Sequence, residues 1–187
     1  MNNQVKRLMV KAPREILPVH SDTMWLALSE GIMKFVNNKD SYNSCHRDSF
    51  CVRINTIFKD TDGSLYLGGL NGLWKYNKGQ FHHLGKKFPD LYYRITDIKR
   101  IADYLVVSTR GSGIIFINGE RYFKITKNEG LISNSIHNFK IEHSVIWASS
   151  NEGISQIEVN RLYPFDYDLV NISTQKGLPY PQVKHLE

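Results

Sequence analysis

Leu65-Tyr-Leu-Gly-Gly-Leu-Asn-Gly72-Leu73 reads as an apolar strand, a small polar turn closed by a glycine, and an apolar residue that opens the next strand. Three other stretches read the same way: Met24-Trp-Leu-Ala-Leu-Ser-Glu-Gly31-Ile32, Leu105-Val-Val-Ser-Thr-Arg-Gly-Ser-Gly113-Ile114 and Val145-Ile-Trp-Ala-Ser-Ser-Asn-Glu-Gly153-Ile154. Their closing glycines fall 41, 41 and 40 residues apart. A second marker keeps the same beat. Ile54-Asn-Thr-Ile57, Ile95-Thr-Asp-Ile98 and Ile136-His-Asn-Phe139 are each 41 residues after the last, apolar at both ends, and Val183-Lys-His-Leu186 continues the series after a gap of 47. Two markers with one period establish internal repetition, the first thing to settle in a sequence because it decides the architecture.

One unit resolves into four short strands. Ile54–Ile57 is followed by the turn Lys59-Asp-Thr-Asp-Gly63, then Leu65–Gly68, then the turn Leu70-Asn-Gly72. Leu73-Trp-Lys-Tyr76 alternates apolar and polar, Asn77-Lys-Gly79 turns again, and Gln80–Leu84 completes the set. Four antiparallel strands in about 41 residues is one blade of a β-propeller. Helical repeats would show a 3.6-residue period, leucine-rich repeats are shorter with one strand each, and the Gly-His and Trp-Asp pairs of WD repeats are missing. The fold class expected is therefore all-β, a partial β-propeller occupying residues 1–187. Blades are expected over about 13–41, 53–84, 94–126 and 135–166, with Glu15-Ile-Leu-Pro-Val19 as the inner strand of the first and a fifth beginning over about 177–187. A chain that stops inside a strand predicts a piece of something longer, since it leaves an unpaired edge. Two uncapped blade faces predict self-association or completion by the remaining blades of a parent chain.

The 187 residues, 41% hydrophobic and 22% charged, suit a folded domain. Ten Tyr and nine Phe lean towards pleated surfaces. No run approaches the roughly 18 apolar residues of a membrane span, and Met1–Val10 has Lys6 and Arg7 but no apolar stretch of signal-peptide length. The net charge of +6 comes from scattered lysines and arginines, densest at Lys86-Lys87, which reads as solvated surface and not as a nucleic-acid footprint. Cys45 and Cys51 have no partners at metal-ligand spacing; the expectation is two free thiols, with a single loop disulfide as the alternative in an oxidising compartment.

With the blades aligned, the sequence resembles the two-component regulator propeller repeat, which opens on Gly-Leu-Pro-Ser-Asn and continues through Asp-x-x-Gly, a Leu-Trp-Ile-Gly-Thr strand, a Gly-Leu turn and a Tyr-containing strand. Asp60-Thr-Asp-Gly-Ser-Leu-Tyr-Leu-Gly-Gly-Leu-Asn-Gly-Leu-Trp-Lys-Tyr76 matches the middle of that repeat, and Gly130-Leu-Ile-Ser-Asn-Ser-Ile136 matches its opening with Ile132 in place of Pro. Gly177-Leu-Pro-Tyr-Pro-Gln-Val183 keeps the Pro and loses Ser-Asn, while Met24-Trp-Leu-Ala and Tyr104-Leu-Val-Val-Ser-Thr are degenerate. The resemblance implies the extracytoplasmic sensor region of a hybrid two-component histidine kinase, in which tandem propellers receive an oligosaccharide or similar nutrient signal. It implies a periplasmic location, with the membrane and the kinase supplied by a parent protein.

Chemistry-bearing residues are sparse. Adjacent strand residues His82 and His83 face opposite sides and cannot share an ion, and His137 and His143 have no ligand set, so no metal and no cofactor are expected. Asp60, Asp62, Asp90 and Glu152 sit in turns, where carboxylates have structural uses, and no pair stands out as the acid and base of a glycosidase. Gly68, Gly69, Gly111 and Gly113 read as hairpin glycines, and Trp25, Trp74 and Trp147 as inter-blade packing. The candidate ligand-binding residues come from position. Arg53, Arg94, Ser135 and Gln182 each immediately precede an inner strand, Arg110 lies in a turn of small residues, and Tyr92 and Tyr93 could add a stacking face. Guanidinium groups converging there suit a carboxylate or sulfate. The expected function is a sensor segment that recognises an extracellular, anionic glycan fragment without catalysis. The alternatives are a structural or protein-interaction propeller with no small ligand and, third, a propeller hydrolase or lyase.

Overall fold

The computed structural model describes residues 12–37, 39–47 and 50–183. Sixteen strands form four separate four-stranded sheets, each an antiparallel meander in sequence order. The first holds β1 (Glu15–His20), β2 (Thr23–Leu28), β3 (Gly31–Val36) and β4 (Lys39–Asn43); the second β5 (Ile54–Lys59), β6 (Leu65–Gly69), β7 (Gly72–Asn77) and β8 (Gln80–His83). The third holds β9 (Ile95–Ile101), β10 (Tyr104–Thr109), β11 (Ile114–Asn118) and β12 (Arg121–Ile125); the fourth β13 (Ile136–Glu142), β14 (Val145–Ser150), β15 (Ile154–Leu162) and β16 (Phe165–Ile172). The first strands lie side by side, β1 beside β5, β5 beside β9 and β9 beside β13. They are the innermost strands of consecutive propeller blades.

A blade has two apolar faces and can bury them only against its neighbours. Trp25, Ala27 and Ile32 of blade 1 meet Ile54, Ile57, Leu65 and Leu67 of blade 2. Leu73 of blade 2 meets Ile95, Ile98, Leu105 and Val107 of blade 3. Tyr104, Val106, Ile114 and Phe116 of blade 3 meet Ile136, Phe139, Ile146 and Ala148 of blade 4. Each large side chain so buried contributes roughly 1.5–3 kcal/mol, so the shared cores outweigh any single polar contact. Blade 4 extends its outer hairpin, and Phe165 reaches back onto Phe116 and Phe123 of blade 3.

Ile54 and Ile57 are three residues apart, a spacing that would put them on opposite faces of a regular strand. Both face blade 1, because the register slips by one residue between Ile54 and Thr56. The same bulge recurs between Ile95 and Asp97 and between Ile136 and Asn138. Asn55, Thr96 and His137 are thus the extra residues, displaced from the ladder at the axis. Asn55 uses its freedom to donate from Nδ2 to the Ile95 carbonyl of the next inner strand, at 3.2 Å. Opposite the bulge only small residues fit: a methyl on Gly68 would strike the side chains of Ile95 and Thr56. Gly68 is therefore a strand residue required by close approach, not the hairpin glycine expected from the sequence.

The periodic glycines do close turns. Gly72 has φ +103, and a methyl there would land on the carbonyl oxygen of Leu91 in the connection to the next blade. A carbonyl stands in the same place at Gly31 (Phe50), Gly113 (Ile125) and Gly153 (Ile172).

Cys45 and Cys51 form a disulfide, which corrects the expectation of free thiols. It closes the connection between blades 1 and 2 around a helical turn, Ser44–Arg47. Within that loop the buried Ser44 hydroxyl accepts the Ile32 N–H and donates to the Phe50 carbonyl. Phe50 is thereby set face to face on Phe81 and edge-on to Trp74. The pairing of these cysteines, six residues apart, depends on a local helical turn that has no counterpart in the repeat. Of the expected fifth-blade strand, Val183 donates its N–H to the Ser150 carbonyl, while Lys184–Leu186, like Met1–Lys11, lie outside the described residues.

Two outcomes are expected. Gly72→Ala should lower the unfolding free energy by about 3 kcal/mol and Gly63→Ala, at positive φ but in open space, by only about 1 kcal/mol; denaturant titration of both variants measures the difference. The double variant Cys45→Ser, Cys51→Ser should lose about 2 kcal/mol, the scale for so short a loop, and reduction of the native chain should reproduce its melting temperature.

Candidate functional site

In an antiparallel meander the connections between blades and the turns between second and third strands fall at one end of every sheet. The sequence-predicted residues all lie at that end. Arg110 donates its N–H to the Arg94 carbonyl at 2.8 Å and pairs with Ser135 as an isolated antiparallel bridge. Gly111 and Gly113 both donate to the Asn134 carbonyl. The ring of Tyr93 lies against Gly111, where any side chain would collide with it. Arg94, Tyr93, Arg110 and Ser135 are therefore one cluster, built from two blade connections and the turn between them. Arg53 occupies the equivalent place one blade back, with its carbonyl accepting from Leu70 N–H; no arginine stands beside it there, since Leu70 takes that position. Tyr92 stacks on His83 and Gln182 bonds Asn151, so both have structural partners.

The cluster is electrostatically one-sided. Burial, and then the neighbouring Arg94 charge, push the Arg110 guanidinium below its ordinary pKa. Its Nε is buried without a hydrogen-bond acceptor. Among the described residues no carboxylate forms an ion pair with Arg53, Arg94 or Arg110. Arg94 is exposed, as is Tyr93 at 49%. The arrangement offers an anion two guanidinium groups and a flanking aromatic face.

Asp90 holds this cluster in place, a role its position in a turn did not disclose. Its carboxylate accepts from Ser112 in the Arg110 turn, from the Tyr122 hydroxyl and, at 3.0 Å, from Lys124 Nζ. Burial opposes its charge, but these donors outweigh it and hold its pKa below the usual range. Tyr122 is pushed well up by burial and by that carboxylate. The connection carrying Tyr93 and Arg94 is thus tied to the turn carrying Arg110.

The inner strands hold a second feature absent from the sequence reading, two carboxylates in electrostatic reach of each other. Glu15 of β1 crosses to blade 2, where Oε2 accepts the Ile57 N–H at 2.7 Å and the side chain meets Thr56. Burial raises its pKa, and the Asp97 charge adds to the rise. Asp97 is likewise raised by burial, against the pull of Lys99 at 2.8 Å and the Ile98 N–H. Both carboxylates are occupied by protein donors. The turn carboxylates have the structural uses expected: Asp60 binds Arg100, Asp62 caps Ser64, and Glu152 takes Lys127 and Ser133. His83 is engaged on both nitrogens, by the Asn71 carbonyl and the Gly85 N–H. Trp25 and Trp74 pack between blades as expected, whereas Trp147 lies half-buried on blade 4 outside the three shared cores. Among the described residues there is no group of three or more His, Cys, Asp or Glu that could hold a metal ion.

No family model matches the chain, and no curated protein matches it. Solved structures do. The extracellular domain of a hybrid two-component system of B. thetaiotaomicron superposes with TM-score 0.69 at 16% identity, covering 97% of this chain and 27% of that one. The extracellular domain of a one-component system of the same organism gives 0.67 at 14%, over 94% and 25%. An ancestral GH74 enzyme gives 0.58 at 12%, over 79% and 23%. This chain spans about a quarter of the length of each. Its fold is that of a run of four β-propeller blades, of the kind found in the extracellular domains of these two-component and one-component systems.

Proposed function

We propose that the chain is a ligand-sensing segment of the extracellular propeller of a two-component receptor, and that the Arg94–Arg110 end binds an anionic glycan fragment. The observation that carries this reading is the adjacent guanidinium pair with no carboxylate partner among the described residues. Two like charges are not placed side by side for stability, and a bound carboxylate or sulfate converts their repulsion into bidentate hydrogen bonds. The likeness to extracellular domains of two-component systems supports the sensor role. The disulfide supports an oxidising compartment. Among the described residues no helix is long and apolar enough to cross a membrane; in this reading the span and kinase are those of a parent receptor. Binding acts by favouring one arrangement of the receptor over another, not by chemistry on the ligand. Glu15 and Asp97 support this reading too, since both bond to the propeller itself.

Calorimetric titration with sulfated and uronate-containing oligosaccharides tests the site. Arg94→Ala and Arg110→Ala should each weaken binding about tenfold or more, the scale of a charged hydrogen bond, and added salt should weaken it further. Equal affinity in the double variant would move the site elsewhere, and failure of every anionic glycan to bind would end the proposal. For Glu15, a folded-state pKa raised above the ordinary carboxylate range means its stabilising contribution is full below that range and is lost as pH rises through the folded value. Glu15→Gln should therefore melt higher than the native chain at pH 7, with the two melting curves converging in acid; a variant less stable at pH 7 would contradict the assignment.

A further inference from the structure

The opposite end of the blades has its own cavity. It lies between blades 2 and 3, measures about 470 Å³, and so falls within the range of small-molecule sites. Its floor is apolar: Leu105 and Ile117 belong to the blade 2–3 core and Leu84 packs against it. Tyr66 and Phe88 bring aromatic rings to the walls. Phe88 is fixed by stacking on Tyr122 with ring centroids 5.0 Å apart.

The polar lining comes from turns on both blades. Blade 2 supplies Asp60, Thr61 and Asp62 after β5, and blade 3 supplies Asp103 after β9 and Asn118 at the end of β11. Lys75, Lys87 and Arg100 balance the three carboxylates charge for charge. These groups already have partners: Arg100 pairs with Asp60 at 2.7 Å, Lys75 with Asp62 at 3.4 Å, the Asn118 amide donates to Asp103, and Lys87 pairs with Glu120 beside the cavity. A charged ligand would have to break one of these contacts. An uncharged polyhydroxylated ligand would not, because each carboxylate keeps spare acceptor sites and each hydroxyl can donate or accept. The adjoining aromatic and aliphatic surface suits the C–H face of the same molecule. We propose that this inter-blade cavity binds a neutral carbohydrate unit of one or two rings. Most of the lining lies at the far end of the blades from the anion site, while Leu84, Lys87 and Phe88 come from the β8–β9 connection that also carries Tyr93 and Arg94. Because the walls belong to two blades, an occupant ties blade 2 to blade 3.

Saturation-transfer NMR on the 187-residue chain with a panel of neutral mono- and disaccharides tests it. At least one is expected to receive saturation, and Asp103→Asn should weaken its binding about tenfold. Phe88→Ala should abolish it, and Thr61→Trp, a substitution on an exposed turn that fills the opening, guards against loss of binding through misfolding of the Phe88 variant. An excess of a sulfated oligosaccharide should leave the neutral sugar bound. The proposal is overturned if no neutral sugar receives saturation, if binding survives both Asp103→Asn and Thr61→Trp, or if the sulfated sugar displaces it.

Discussion

Everything in this molecule depends on a face-to-face contact that no blade can make alone. Each of the three shared cores is made of apolar side chains from two consecutive sheets, and neither sheet buries its half alone. The bulge at the second residue of the inner strand makes the contact efficient, because it turns two residues three apart, Ile95 and Ile98 or Ile136 and Phe139, to the same neighbour. Without that slip one of each pair would face the wrong blade. The bulge in turn demands small residues on the facing strand, met by Gly68, Ser108 and Ser149. Geometry at the axis is thereby set by a chain of steric conditions that begins with apolar burial.

Polar groups fill the places this packing leaves over. Glu15 spans blades 1 and 2 through the Ile57 N–H, and Asn55 spans blades 2 and 3 through the Ile95 carbonyl. Both act across the seams between sheets, where backbone groups of the inner strands lack ladder partners. Near the axis Asp97 meets Lys99, and in the lower turns Asp60 meets Arg100. Arg94 and Arg110 differ in lying side by side, close enough for one charge to depress the pKa of the other, with neither paired to a carboxylate among the described residues.

The architecture was readable from the sequence because its constraint is periodic. The four glycines mark where a carbonyl from the following strand or connection crowds the turn, and that crowding recurs in every blade. The apolar-x-x-apolar marker also contained the bulge, since spacing of three within a strand has no other way to put Ile54 and Ile57 on one face. Arg53, Arg94 and Ser135 follow from the same period and Arg110 from its turn of small residues; the backbone bonds between that turn and the flanking connections bring Arg94, Arg110 and Ser135 together. What stayed hidden depends on contacts between distant segments or on local turns that break the period. Asp90 reaches Ser112, Tyr122 and Lys124, Glu15 reaches Thr56 and Ile57, and the Cys45–Cys51 loop occurs in one blade connection only.

A meander also separates its two ends chemically. Connections between blades are longer than the hairpin turns, so one end receives 3-10 turns and exposed side chains such as Tyr92, Tyr93 and Arg94, while the other is made of tight Asp- and Gly-containing turns. The long connections can carry an unbalanced charge cluster because Asp90 fixes their backbone from below. The tight turns instead gather balanced charge around a gap between sheets. An anion at the first end and an uncharged ring at the second would both bridge elements of neighbouring blades, the first across the connections flanking blade 3 and the second across the seam between blades 2 and 3. Blades in such a stack touch only their neighbours, so a ligand bridging one seam would add to the stability of that seam directly and reach the other blades only through it.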